Sequence, residues 1–390
     1  MIEWLIIGGG IHGTYLSHML VNQADVARDD VRVLDPHVEP LAAWTRFTAN
    51  CGMSYLRSPA THNIDIPILS LYRYAKSFRG NAIDAFIPPY NRPALDLFNK
   101  HCDQVIRDNR LAALRIVGRA LSLEKNGRSI TAETTAGRIK SRNIILAIGL
   151  GEQPYWPAWA RSLKEVGARI DHLFDIGFQP AKTSDSSVTI VVGGGISSVQ
   201  ASLKLSDSLT GKVRLISRHR LRESQYDFDP CWIGPKCLKE FHRSDYGKRR
   251  DSVDRARIGG SATSEVLEEF RKAVSTGRLE FKQGCIRGAS TDGRRIRLKT
   301  DTDTERADAV VLATGFLQER PGGPFIDEVI KSFGLKCGSC GYPIVGHDLR
   351  WSDNIFVTGP LAELQLGPCA RNIVGARNAG RHLLNIWPSH

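Results

Sequence analysis

Two glycine turns carry the most specific chemistry in this chain. The first, Gly8-Gly9-Gly10-Ile11-His12-Gly13, follows the apolar run at residues 4–7 and precedes residues 14–21, whose apolar positions recur at helical spacing. A second apolar run, Val31-Arg32-Val33-Leu34, ends at Asp35-Pro36. Strand, turn, helix, strand and acid in this order predict a dinucleotide site. Gly8 permits the tight turn, Gly10 lets a pyrophosphate approach the backbone, and Gly13 lets the helix sit close to the strand. Ile11 and His12 lie in the turn itself, and the N-terminus of the helix that follows faces the phosphates with its partial positive charge. Asp35, followed by Pro36, accepts hydrogen bonds from ribose hydroxyls.

The pattern returns at Gly193-Gly194-Gly195-Ile196-Ser197-Ser198, after the β-branched run at 188–192 and before a helix at 199–209 and a strand at 212–216. Ser198 replaces the last glycine. Where the acid would stand are Ser217, Arg218, His219, Arg220 and Arg222. An acid repels a 2′-phosphate, whereas serine and arginine bind it. The second turn is therefore expected to take NADPH, and the first, with its acid, FAD.

These turns need sheets to hold them. Residues 114–148 form short strands broken at Asn126-Gly127 and Ala136-Gly137, an antiparallel meander whose last strand runs to Gly149. A similar strand at 308–313 runs to Thr314-Gly315-Phe316. The expected fold is α/β with two Rossmann-like domains, an NADPH-binding domain (176–305) inserted into a discontinuous FAD-binding domain (1–175 and 306–390). A basic helical insertion is expected near 225–275, its charge densest at 239–257. A strand at 354–358 leads to Gly359-Pro360, and Leu366-Gly367-Pro368 opens a helix expected over 369–384, carrying Arg371, Arg377 and Arg381. Its N-terminus would face the flavin N1/O2 edge.

Composition narrows the partners. The 390 residues carry a net charge of +12, with 42% hydrophobic and 24% charged residues, an ordinary globular balance that argues against disorder. The basic stretch lacks interleaved aromatics and no nucleic-acid motif accompanies it, so nucleic acid is not expected. No apolar run reaches about 18 residues and no signal-peptide pattern opens the chain, so no membrane span and a cytoplasmic location are expected. The eight cysteines read as small core hydrophobes rather than a disulfide framework. Cys337-Gly338-Ser339-Cys340 is a redox dithiol or a tight turn; no second C-x-x-C completes a zinc site, and no metal is expected.

Ala313-Thr314-Gly315-Phe316 is similar to the A-T-G-[YF] motif of the class B flavin-dependent monooxygenases. Tyr55-Leu56-Arg57-Ser58-Pro59, Gly149-Leu150-Gly151-Glu152-Gln153-Pro154-Tyr155-Trp156-Pro157 and His172 resemble segments of the lysine and ornithine N-hydroxylases. The resemblance covers almost the whole chain. It implies an FAD-dependent oxidoreductase using NADPH, with dioxygen and a small molecule as partners, that hydroxylates a nucleophilic nitrogen or sulfur through a C4a-hydroperoxyflavin. Trp44 and Tyr55 fall where the family's flavin-contacting segments fall. His62, Asn63, Arg92, His172 and Asn372 are the candidate catalytic residues. A homo-oligomer is left open. Two rivals stand beside this reading: an NADPH-dependent disulfide or quinone reductase using Cys337 and Cys340, and a non-catalytic flavin or NADPH-binding protein.

Overall fold

The computed structural model describes residues 1–77, 85–179 and 188–384. The apolar residues of strand Ile2–Ile7 place it inside a parallel sheet, where both faces are covered; Leu5 and Ile6 are wholly buried. It pairs in parallel with Val31–Asp35 on one side and Gly137–Leu146 on the other. Ile355–Val357 and Arg350–Ser352 continue the sheet beyond Gly137–Leu146, and Arg115–Val117 closes its other edge. The expected meander is present: Ala120–Asn126 and Ser129–Thr134 pair antiparallel and join the long strand Gly137–Leu146. Helix Ile11–Asn22 packs on helix Ile373–Leu384 through Gly380, where a Cβ would lie 2.9 Å from the Tyr15 ring.

The second sheet is five parallel strands in the order Leu279–Gln283, Lys212–Ser217, Val188–Val192, Ala309–Leu312 and Ile170–His172. Two of these differ from expectation. Ile170–His172 and Ala309–Leu312 belong by sequence division to the first domain, yet both hydrogen-bond into the second sheet. The reason is register: Val310 and Val311 lie opposite Ile190 and Val191, which continues an apolar layer buried on both faces. The chain therefore crosses between sheets near residues 147–157 and 313–320. A three-stranded antiparallel sheet, Ile286–Thr291, Ile296–Thr300 and Thr304–Ala307, flanks the second sheet.

The basic insertion holds the helices Pro235–Arg243, Tyr246–Ala256 and Ser264–Ser275, the second capped by the Asp245 carboxylate accepting from the Lys248 N–H at 2.9 Å. Buried Arg249 fastens it to the C-terminal segment by donating to the Leu364 carbonyl at 3.0 Å, and to the preceding helix by donating to the His242 carbonyl at 2.6 Å. Cys231 and Cys237 are disulfide-bonded, which differs from their expectation as small core hydrophobes. The chain turns at Gly234 between two short helical segments and brings their Cα atoms to 5.4 Å, within disulfide reach. The C-terminal helix is also divided. Residues 368–371 form a 3-10 turn, and the α-helix begins at Ile373.

Candidate functional site

Both glycine turns end strands of the two sheets and open helices that no side chain caps, Ile11–Asn22 and Ile196–Ser208. Their first N–H groups are thereby left for a ligand. Gly8 sits at φ +108°, a conformation that favours glycine, and a Cβ on Gly13 would strike the Gly8 carbonyl oxygen. A Cβ on Gly193 would likewise strike the Ala313 carbonyl. The middle glycines are different: nothing lies within 4 Å of a Cβ on Gly10, and only the Gly260 Cα, at 3.8 Å, approaches one on Gly195. Packing accounts for the outer glycines, and open space over an uncapped helix start accounts for the middle ones. That combination fits two dinucleotide pyrophosphates.

Asp35 lies beside the first turn. Its Oδ2 accepts from the Gly9 N–H at 2.6 Å, and its Oδ1 from the His37 N–H and Nδ1, each at 2.9 Å, and from Arg115 at 3.2 Å. Arg115 was not marked by any motif; it reaches the acid because its strand pairs with Val31–Asp35. Pro36 is exposed next to it.

The second turn forms part of the wall of a cleft of about 1380 Å³. Gly193, Gly195, Ile196 and Ser197 line it, with Thr314 and Gly315 opposite and Arg218 and Arg222 also on its wall. Ser198 is buried and its hydroxyl donates to the Gly195 carbonyl at 2.7 Å. Ser217 is buried too, donating to the His219 carbonyl at 2.7 Å, and exposed Arg220 does not line the cleft. A smaller pocket of about 240 Å³ lies between Ile11 and Ile196, the first helical residues after each glycine turn. Trp44, Tyr55 and Asn372 wall it, and Arg57, Ile196 and Arg371 line both cavities. The Trp44 indole donates to Asn99 Oδ1 at 3.0 Å and its ring packs on Phe98, which fixes its face. Gly149 is exposed at the end of its strand, whereas Gly359, Pro360 and Leu366 are buried in the segment behind the pocket.

Of the candidate catalytic residues, Asn372 is the one the fold brings to this pocket. Its carbonyl faces His12 Nε2 at 3.2 Å, its Nδ2 lies 3.4 Å from both Asp227 oxygens, and its Oδ1 is buried with no hydrogen-bond partner among the described residues. The other His12 nitrogen, Nδ1, lies 2.8 Å from the Thr358 hydroxyl, and burial pushes the imidazole down to about 4. His12 thus joins the first glycine turn to both ends of the C-terminal segment.

The remaining candidates hold loops and strands. Asn63 is fully buried, donating to the Ala60 and Ile68 carbonyls at 3.1 Å each and accepting from the Asp65 N–H. Arg92 is buried against Glu265 at 2.8 Å, bridging the two sheets' surroundings. His62 lines neither cavity; burial and the neighbouring Arg377 lower it to about 4. His172 lies wholly buried beneath Thr314. Arg57 and Asp227, which sequence reasoning did not select, belong to the cleft. Arg57 donates to the Ser224 and Gln225 carbonyls at 2.7 and 3.1 Å, so the loop that carries Asp227 is held by a residue 168 positions away. Among the described residues no group of three His, Cys, Asp or Glu side chains could hold a metal, and no helix is long and apolar enough to cross a membrane.

Two sheets, each ending a parallel strand in an uncapped glycine turn at one cavity system, define a protein with paired dinucleotide-binding units. The family model for L-lysine 6-monooxygenase/L-ornithine 5-monooxygenase matches residues 119–318, and the chain belongs to that family. No curated protein matches the sequence. Among solved structures, the fold is similar to that of ornithine hydroxylase PvdA from Pseudomonas aeruginosa, with a TM-score of 0.78, 16% identity, and coverage of 99% of this chain and 98% of that one. It is also similar to FAD-bound DfoA, the cadaverine monooxygenase of desferrioxamine biosynthesis from Erwinia amylovora (TM-score 0.77, 14% identity, 100% and 96% covered). A bacillithiol disulfide reductase from Staphylococcus aureus shares the fold more distantly, with a TM-score of 0.63, 14% identity, and 99% and 97% covered.

Proposed function

We propose that this chain is an FAD-dependent monooxygenase that uses NADPH and dioxygen to hydroxylate an amine nitrogen of a small molecule, acting in the cytoplasm. The observation that carries the reading is the smaller pocket lined by both Ile11 and Ile196: two nucleotides held at the two turns would bring their reactive ends to one place. FAD, once reduced by NADPH, supplies the capacity to activate dioxygen.

The chain's own residues do the rest. The backbone at Gly10, Ile11 and His12 would hold the FAD pyrophosphate and Asp35 the ribose; Gly195, Ile196 and Ser197 would hold that of NADPH, with Arg218 and Arg222 on its 2′-phosphate. In this assignment the sheet of Ile2–Ile7 is the FAD unit, drawn from residues 1–175 and 306–390. The sheet of Val188–Val192 is the NADPH unit, built on residues 176–305 with Ile170–His172 and Ala309–Leu312 added. Trp44, Met53 and Ile373 give the smaller pocket apolar walls that exclude water. Asn372 lines that pocket, and its buried Oδ1 has no hydrogen-bond partner among the described residues.

A reductase using Cys337 and Cys340 has one observation in its favour: both thiols are free and Cys340 lines the cleft. Against it, burial raises the Cys337 thiol, the opposite of what an attacking thiolate needs. NADPH oxidation by the FAD-loaded protein, followed with and without oxygen, tests the reading. Oxygen-dependent consumption supports it, and anaerobic turnover with a disulfide or quinone, lost in Cys337→Ser, overturns it.

A further inference from the structure

The disulfide between Cys231 and Cys237 spans Gly234, the residue between the 3-10 turn Pro230–Ile233 and the helix Pro235–Arg243. Both cysteines are half-buried, and neither lines either cavity, so the pair stands outside the chemistry of the cleft. Its surroundings favour exchange. Cys237 lies in the first turn of the helix, whose N-terminal N–H groups no side chain caps, and exposed Lys236 and Lys239 flank it. A helix N-terminus and neighbouring cations both stabilise a thiolate. In a compartment that keeps thiols reduced, a disulfide between half-buried cysteines forms and breaks rather than serving as a permanent staple.

The bond ties together two side chains that meet at Gly367. A Cβ on Gly367 would lie 3.2 Å from both Trp232 Cε3 and Leu238 Cδ2, so the turn supplies one wall of the contact and the helix the other. Trp232 also stands edge-on to Phe241 at 5.4 Å, and with Ile233 it packs on the buried cluster of Phe228, Cys369 and Val374. Gly367, at φ +73°, opens the short turn Pro368–Arg371. Arg371 and the next residue, Asn372, wall the smaller pocket. Other bonds hold the segment just before Gly367. Wholly buried Glu363 meets Arg250 at 3.0 Å, Arg371 at 2.8 Å and Arg257, and His242 Nε2 lies 2.7 Å from the Gln365 carbonyl. Breaking the disulfide therefore leaves the helix Pro235–Arg243 anchored through His242 and releases the turn that carries Trp232.

We propose that Cys231 and Cys237 form a reversible redox modification site, whose disulfide fixes the wall of the smaller pocket at Arg371 and Asn372 and whose reduction loosens it. A dithiol reductant supplies the two electrons. Its thiolate attacks one protein sulfur and the S–S bond breaks; its second thiol then displaces that sulfur, and the reductant's two protons pass to Cys231 and Cys237. Hydrogen peroxide reverses the step, taking two electrons and the two thiol protons and leaving as two molecules of water. Calling the compartment reducing and the affected reaction NADPH oxidation rests on the monooxygenase reading; the exchange itself does not.

The test compares the FAD-loaded full chain equilibrated with oxidised and with reduced dithiothreitol, free thiols being alkylated and located by mass spectrometry. Cys231 and Cys237 are expected to resist alkylation in the first buffer and to be alkylated in the second, without denaturant. Backbone hydrogen exchange over residues 366–372 is expected to rise by about tenfold or more on reduction, while that of the strand Ile2–Ile7 stays unchanged. The kcat/KM for NADPH is expected to fall by about fivefold or more, and stoichiometric hydrogen peroxide to restore it. The double variant Cys231→Ser/Cys237→Ser is expected to match the reduced protein in both buffers. Melting temperature and FAD content report whether it folds, and if it does not, the wild-type comparison decides. The proposal is overturned if the bond resists reduction short of unfolding, if exchange over 366–372 is the same in both forms, or if both forms oxidise NADPH equally fast. It is also overturned if the double variant still responds to the buffers, which would give the effect to Cys337 and Cys340. Thiol exchange and loosening as expected in a protein that never oxidises NADPH would defeat the monooxygenase reading and leave the redox site standing.

Discussion

The imidazole Nε2 of His172 lies 3.1 Å from the hydroxyl of Thr314, joining two strand ends of the second sheet across 142 residues of chain. Nδ1 accepts from the Phe174 N–H at 3.1 Å, so Nε2 carries the proton and donates to Thr314, whose hydroxyl donates in turn to the Tyr155 carbonyl. One neutral histidine therefore fixes both crossings between the sheets, including the Thr314-Gly315 edge of the cleft. Wholly buried, it ties the Thr314 edge of the cleft to the strand Ile170–His172.

That arrangement has a pH signature. Burial pushes His172 down to about 4, and the same cause lowers His12, His62 and His101 to about 4. A folded-state value below the unfolded one means the stabilisation is complete above about pH 6.5 and is lost as pH falls toward 4, at about 1.4 kcal/mol per pH unit for a fully buried imidazole. Asp65, held near 2 by His18 and Ser70 despite its burial, gives up its share only below that window. Urea denaturation at pH 7, 6, 5 and 4 is expected to show stability falling throughout, with a shallower fall in His172→Asn. A flat profile contradicts the neutral-histidine account.

The first glycine turn separates packing from binding. Gly13→Ala puts a Cβ into the Gly8 carbonyl and is expected to destabilise the protein by about 2 kcal/mol or more, with loss of FAD. At Gly10 a Cβ meets nothing within 4 Å. Gly10→Ala is therefore expected to keep the apoprotein's melting temperature within a few degrees while FAD content falls sharply. Equal losses of stability in the two variants would mean that Gly10 is structural as well.

Arg218 and Arg222 are exposed on the cleft side of the second turn. Replacing both with alanine removes charge-assisted contacts worth roughly 1.5–3 kcal/mol each, so kcat/KM for NADPH is expected to fall by at least tenfold with that for NADH little changed. An equal fall for both nucleotides would place these arginines elsewhere than on the 2′-phosphate.

Glu363→Gln leaves three buried arginines short of a counter-charge. The expected loss is about 3–5 kcal/mol in urea denaturation, because removing one partner of a buried ion network strands the rest. A loss below about 1 kcal/mol would show that the cluster is solvated and carries no stability.

Much of this architecture is written locally. The glycine turns, the strands beside them and the Asn126-Gly127 hairpin depend on neighbours a few residues apart, and each forms where its pattern falls. The cleft depends on distant pairs. Arg57 meets the 224–227 loop, His12 meets Asn372, and Glu363 meets Arg250 and Arg257, separations from 106 to 360 residues that no periodicity encodes. Asn63 and Arg92 are candidates by residue type, but their partners, the Ala60 carbonyl and Glu265, come from the fold, because a buried polar group must be hydrogen-bonded. Strand Ala309–Leu312 joins the second sheet for a reason that its own residues do not carry: an apolar strand pairs with whichever sheet offers it two buried faces.

In the proposed reaction oxygen reaches an amine nitrogen at the pocket between the two glycine turns. Hydroxylamine formed per NADPH consumed, measured in air-saturated buffer with the tightest-binding amine, tests it most directly. Hydroxylamine in proportion to NADPH, none without oxygen, and loss of product in Asn372→Ala with NADPH oxidation continuing are expected. Anaerobic NADPH turnover with no hydroxylamine under any oxygen tension would contradict it.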